Sequence, residues 1–264
     1  MPDDFAGKTI VVTGASSGIG RAAAIMLGAR GAHVLLAARD GPALEAVAGT
    51  IRAGGGRADV QITDVGKRED TEALFARADA LWDGVVDGVF ANAGASGVVA
   101  PLWEYPLDAF EDVLSVNLRS VFWAMRLVMP GMVARGRGAF VATASLAAER
   151  GLPDTVGYNV SKHGVMGLVR TAAIEAAPHG VRVNAVIPGL IETRMLNNLA
   201  DLFSGGDVPA AMTMLGKMAP QGRVGTPEEA AAAAVFLLSD AATYINGQAV
   251  AVDGGILAGI GGRH

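Results

Sequence analysis

Thr9-Ile10-Val11-Val12-Thr13-Gly14-Ala15-Ser16-Ser17-Gly18-Ile19-Gly20 carries an apolar run into a cluster of glycines, and an alanine-rich helical pattern follows from Arg21 to Arg30. That order reads as strand, tight turn and helix. Within it Gly14 can take a positive φ, Gly18 lets a backbone approach a ligand, and Gly20 lets the new helix pack closely on its strand. The free N–H groups of the first helical turn, at the positive end of the helix dipole, then favour a phosphate. The spacing Gly-x3-Gly-x-Gly is one residue longer in its first gap than the common dinucleotide fingerprint, so the turn suggests a dinucleotide without establishing one.

Outward from this turn the same unit repeats. His33–Ala37 reads as a second strand before a helix over 42–53, and Ala58–Ile62 as a third before a helix over 67–82. A fourth strand, Gly88–Ala91, runs into Asn92-Ala93-Gly94. One long helix is expected over Pro106–Arg135, with Phe110, Val113, Leu114, Leu118, Val121 and Met125 on a single stripe that also takes in Asn117. A fifth strand, Gly138–Thr143, ends at Ala144-Ser145, and Asp154 reads as the N-cap of a helix that stops before Pro178. Val181–Ile187 is the sixth strand, closed by Pro188-Gly189, and a helix over 227–238 leads to a seventh, Gln248–Val252. Alternating buried strands and helices imply one doubly wound parallel α/β sheet of seven strands with helices on both faces, in a single domain over 1–264. The segment Leu190–Val224 breaks the rhythm and reads as an irregular, mobile substrate lid, and the glycine-rich tail Gly259–His264 is expected to fray.

Composition narrows the function classes. The 264 residues are 51% hydrophobic and 18% charged, enough for a large core, and the net charge of −5 with no basic block argues against nucleic acid as a partner. No cysteine is present, which removes thiolate chemistry, and no apolar run reaches the length of a membrane helix. With no signal-peptide core after Met1, a cytoplasmic location is expected. No spacing of His, Asp and Glu suggests a metal.

In a parallel sheet ligands bind beyond the carboxyl ends of the strands, where Gly14, Arg39, Asp64, Asn92, Ser145 and Pro188 fall. Tyr158 and Lys162 lie four apart on one helical face. A neighbouring ammonium favours the phenolate, so Tyr158 is expected to have a lowered pKa and to serve as the general acid for a carbonyl oxygen. Ser145 can hold that oxygen. Asn117, polar on an apolar stripe, is either a buried clamp or part of a wet site behind Lys162. A serine hydrolase is disfavoured, because no Gly-x-Ser-x-Gly surrounds Ser145, and His33, His163 and His179 lack the company a triad needs.

Together Thr13-Gly14-x3-Gly18-x-Gly20, Asn92-Ala93-Gly94, Asn117, Ser145, Tyr158-x3-Lys162 and Pro188-Gly189 resemble the short-chain dehydrogenase/reductase family over nearly the whole chain. The resemblance implies a Rossmann-type fold and a metal-free hydride transfer between nicotinamide and a secondary alcohol or its ketone. It makes Tyr158 the acid/base, with Ser145, Lys162 and Asn117 in support. It further implies cofactor contacts from Gly14, Ser16, Ser17, Gly18, Ile19, Gly20, Asp64, Val65, Asn92, Ala93, Gly94, Tyr158, Lys162, Pro188, Gly189, Ile191 and Thr193, with Asp64 at the adenine and Thr193 at the nicotinamide carboxamide. A cofactor-binding sensor or scaffold without turnover is the rival reading. Members of this kind often assemble as tetramers through two long helices, here Pro106–Arg135 and Asp154–Ala177.

Cofactor choice turns on Leu36-Ala37-Ala38-Arg39-Asp40. An acidic residue ending the second strand would bind the ribose hydroxyls of NAD(H); that position is Ala38, and Arg39 after it can pair with a 2′-phosphate, so NADP(H) is favoured. Asp40 could instead reach the ribose, which keeps NAD(H) possible. Met195, Met212, Met214 and Met218, four of the ten methionines, lie in the proposed lid and point to a largely apolar carbonyl or alcohol substrate.

Overall fold

A computed structural model of the chain describes residues 4–259. The element order is β1 (Thr9–Thr13), α1 (Gly18–Ala29), β2 (His33–Ala38), α2 (Gly41–Ala53), β3 (Arg57–Ile62), α3 (Arg68–Trp82), β4 (Gly88–Ala91), α4 (Leu107–Leu114), α5 (Ser120–Arg135), β5 (Gly138–Thr143), α6 (Val156–Ala176), β6 (Val181–Pro188), α7 (Arg194–Ser204), α8 (Val208–Met218), α9 (Pro227–Leu238) and β7 (Ala249–Val252). The strands form one sheet in the order β3-β2-β1-β4-β5-β6-β7, and every pairing is parallel. Strand order reverses between β1 and β4, so a crevice opens there at the carboxyl edge.

Both faces are buried, and the two-residue period of a strand decides which side chain goes where. In β1, Val11 faces a core built with α3, α5 and α6, while Ile10 and Val12 face a second core built with α1, α2 and α9. Covering both faces accounts for strands that read as unbroken apolar runs. His33 ties β2, β3 and α3 together. Its Nδ1 accepts from Trp82 Nε1 at 3.0 Å, and its Nε2 lies 2.6 Å from Asp59.

Three expectations are corrected. The helix over 106–135 is not uniform: α4 passes into α5 through a π-helical turn, Ser115–Arg119, within which Asn117 is buried. Asp154 does not cap α6. It sits at φ +59° with its carbonyl accepting from Ala100 N, and the Asn159 side chain closes the preceding loop through both Leu152 N and Leu152 O. Finally, Leu190–Val224 is not irregular. Thr193 and Asp207 cap α7 and α8 by accepting from Leu196 N and Ala210 N, and Gly205 and Gly206 at positive φ separate the two helices. The caps and the Pro209 first turn carry this helical signal more clearly than the methionine-rich composition does. Most of the tail Gly259–His264 lies outside the described residues.

Candidate active site

Parallel pairing in register brings the ends of β1, β2, β4, β5 and β6 to one edge, so loops distant in sequence meet there. The glycine turn is built against the segment after β4. Gly14 and Gly18 have φ of +66° and +54°, and a Cβ on Gly20 would lie 2.3 Å from the Gly14 carbonyl oxygen. Asn92 explains this closeness. Its Nδ2 donates to Thr13 O, its Oδ1 accepts from Thr143 Oγ1, and Thr13 Oγ1 accepts from the backbone N–H of Asn92 and of Ala93. The Asn92 side chain therefore locks three strands together. Ser17 caps α1 by position but makes no side-chain hydrogen bond to it, which leaves the first-turn donors of α1 to another acceptor. Thr193 comes up against Gly18, its methyl 3.2 Å from where a Cβ on that glycine would stand.

The remaining predicted cofactor residues line the same edge. Asp64 Oδ1 accepts from Gly66 N, Val65 is buried, and Ile191 bridges to Gly225. Gly189 packs so tightly on β7 that a Cβ would sit 2.6 Å from Asp253 Cα. Arg39 is exposed at the end of β2 and, among the described residues, enters no ion pair. Asp40 is occupied elsewhere: its Oδ1 accepts from Ala43 N as the N-cap of α2.

The four catalytic candidates come together. Ser145 Oγ accepts from Ala147 N and lies beside the Tyr158 phenol, and Lys162 Nζ lies 5.7 Å from the Tyr158 ring centroid while donating to Thr143 O at 2.7 Å. Asn117 is buried with its amide satisfied at both ends. Oδ1 accepts from Ala95 N, and Nδ2 donates to Ala95 O and to Ser161 Oγ, which itself donates to Tyr158 O. These bonds clamp the segment after Asn92-Ala93-Gly94 to α6. Ser161 was not apparent as a site residue, although its place directly before Lys162 was the available signal. Gly94 leaves room beside both groups, since a Cβ there would stand 3.4 Å from Asn117 Oδ1 and 3.7 Å from Lys162 Nζ.

The electrostatics correct one expectation. Lys162, 3% exposed, has its pKa lowered to about 8 by burial. The Tyr158 phenol is pushed up from its ordinary value, because desolvation outweighs the opposing hydrogen bond from Ser145. Removing a group from water disfavours its charged form, and here that cost exceeds what the Ser145 hydroxyl returns to the phenolate. A cleft of about 340 Å³ opens beside β6 and β7, lined among others by Ile191, Gln221, Arg223, Glu229 and Asp253. None of the four catalytic candidates lines it.

What this edge of the sheet can do is hold a dinucleotide and exchange a proton with a substrate oxygen, which is the work of an NAD(P)-linked oxidoreductase. Comparison with known proteins agrees. A family model described as enoyl-(acyl carrier protein) reductase matches residues 14–257. The chain is 41% identical to the 2,5-dichloro-2,5-cyclohexadiene-1,4-diol dehydrogenase of Sphingobium indicum, over 97% of this chain and 99% of that protein. It is 39% identical to the cis-4-hydroxycyclohexanecarboxylate dehydrogenase of Sinomonas cyclohexanicum (98% and 100%) and 36% to the cyclohexanol dehydrogenase of an Acinetobacter species (96% and 96%). Among solved structures, levodione reductase superposes with a TM-score of 0.93 at 35% identity, covering 96% of this chain and 99% of that one. A gluconate 5-dehydrogenase assignment from Beutenbergia cavernae, with NADP bound, gives 0.90 at 39% (98% and 100%). The chain belongs to the short-chain dehydrogenase/reductase family and transfers a hydride between a nicotinamide cofactor and an alcohol or ketone. These relatives lend no support to a scaffold without turnover.

Proposed function

We propose that the protein interconverts a secondary alcohol on a six-membered carbon ring and the corresponding ketone, using NADP(H) in preference to NAD(H). The observation that carries the chemistry is the contact of Ser145 with Tyr158 beside the buried Lys162. The ring is suggested by the relatives, three of which act on cyclohexane or cyclohexadiene alcohols by their names.

The residues present fit a dinucleotide: uncapped first-turn donors on α1, a glycine turn at positive φ, and an unpaired Arg39 with Asp40 engaged in α2. When bound, the nicotinamide supplies or accepts the hydride. Ser145 holds the substrate oxygen. In ketone reduction Tyr158 gives its proton to that oxygen; in alcohol oxidation it takes the proton back. Lys162 serves the ribose and the phenol, and Asn117 fixes Ala95 and, through Ser161, the Tyr158 turn. Gly14, Ser16, Ser17, Gly18, Ile19 and Gly20 receive the phosphates, Asp64 and Val65 the adenine, Asn92, Ala93 and Gly94 the ribose side. Pro188, Gly189, Ile191 and Thr193 hold the nicotinamide. The segment 190–224 acts as the lid over an apolar substrate, and four chains assemble in the cytoplasm.

The test is Tyr158→Phe, assayed by cyclohexanone reduction with NADPH and by NADPH fluorescence titration. Turnover is expected to fall at least 100-fold, in line with the loss of a general acid, while cofactor affinity stays within about twofold. Retention of more than about a tenth of the wild-type rate would remove Tyr158 from the proton transfer.

A further inference from the structure

A serine in a helix commonly donates its hydroxyl back to the carbonyl four residues earlier, and Ser120 does so to Val116 O. Ser115, which opens the π-helical turn, donates elsewhere. Its Oγ gives its proton to Gly66 O at 3.0 Å, 49 residues away, and a Cβ on Gly66 would stand 3.1 Å from a methyl of Val116. The π-helical turn therefore abuts the turn that follows β3. That second turn is also held by α3, where Asp70 Oδ2 accepts from Asp64 N, and closes on itself as Lys67 N donates to Asp64 O. β3 is an edge strand paired with β2 alone, so the sheet supports the turn beyond it from one neighbour only.

Gly66 is where these supports reach the Asp64 side chain. Its N–H donates to Asp64 Oδ1 at 3.1 Å, and its carbonyl accepts from Ser115. The orientation of the carboxylate thus depends on where Gly66 is held. Thr63 N donates to Ala38 O, and Ala38 pairs with Ile62, so Asp64 stands at the carboxyl edge beside the strand end that carries Arg39.

We propose that Ser115 is a positioning residue for the cofactor, which sets the Asp64 carboxylate toward the adenine by holding Gly66. The inference rests on the placement of Asp64 at the adenine given above. It assigns the π-helical turn two duties, since Asn117 of the same turn binds Ala95 and Ser161. The acceptor is a backbone carbonyl, so position 115 needs a hydroxyl donor and no charge.

ADP-ribose carries the adenine of either cofactor and no nicotinamide, so its calorimetric titration reads this half of the site apart from turnover. Ser115→Ala should weaken ADP-ribose about 3- to 10-fold, the size of one neutral hydrogen bond, and Ser115→Thr, which keeps the hydroxyl, should stay within about twofold of wild type. Asp64→Ala should weaken it as well. Adding Ser115→Ala to that variant should then change the affinity by less than about twofold, because the serine acts through the carboxylate. Unchanged affinity in Ser115→Ala, equal losses in Ser115→Ala and Ser115→Thr, or a loss of full size in the Asp64→Ala background would each overturn the role. Wild-type affinity in Asp64→Ala is a different result; it would remove Asp64 from the adenine, and this inference with it.

Discussion

Two side chains at this site have properties set by what surrounds them. Lys162 has a folded pKa of about 8 against 10.5 for the free group. Between those values the unfolded chain holds a proton that the folded chain has released, so Lys162 makes stability rise with pH from about 8 upward. Tyr158, raised above 10, opposes this only beyond pH 10. Urea unfolding of wild type and Lys162→Met should therefore diverge, with the wild type gaining about 2 kcal/mol relative to the variant between pH 7.5 and 9.5. Parallel pH profiles would mean that the ammonium is not held at a cost. Arg39 owes its expected role to freedom rather than burial. With Asp40 bonded to Ala43 N, the guanidinium is the group left to meet a 2′-phosphate. Arg39→Ala should lower kcat/KM with NADP about 10- to 150-fold and leave NAD nearly unchanged, as a charged hydrogen-bond pair worth roughly 1.5–3 kcal/mol predicts. Equal losses with both cofactors, or a wild-type preference for NAD, would contradict the assignment.

Among the helices, α7 and α8 differ from those that cover the sheet. They pack on each other and keep Leu202, Met214 and Met218 exposed, whereas α1 and α9 pack on each other and on the strands and bury most of their apolar residues. An element held by few core contacts opens at low free energy, which a lid requires. Hydrogen exchange should show the amides of 194–218 exchanging faster than those of α1 in the free protein, and slowing when NADPH and a ring alcohol are both bound. Unchanged exchange on binding would make this pair a fixed wall. The π-helical turn at Ser115–Arg119 marks the other functional departure from regularity. Asn117 lies within this widened turn and grips Ala95 and Ser161 from it.

For the molecule as a whole, the outer faces of α5 and α6 carry Phe122, Val160 and Ile174 in the open, Ile174 at 76% exposure. Apolar side chains left out on two long helices suit an assembly of identical subunits. Sedimentation should give a mass four times 26.8 kDa, and Ile174→Glu should shift it downward with the fold retained by circular dichroism. A monomeric wild type would refute the tetramer. Among the described residues no helix is long and apolar enough to cross a membrane.

Much of this was present in the chain's own order. Thr9–Gly20 determines its turn locally, because a strand, three glycines and an alanine-rich helix leave few other conformations, and Tyr158 and Lys162 share a face by helical geometry alone. The strand-helix alternation was enough for seven parallel strands, since parallel neighbours require crossovers of that kind. What only the tertiary structure decided depends on partners distant in sequence. Asn117 is a clamp because Ala95, 22 residues away, presents its backbone to it, and Asn92 locks β1 to β5 through Thr13 and Thr143. The pKa values of Lys162 and Tyr158 move through burial, which no spacing reveals. The packing of Gly97 and Gly157 against the Tyr105 hydroxyl is tertiary too, because a sequence records which residues lack a Cβ but not whose side chain takes the space.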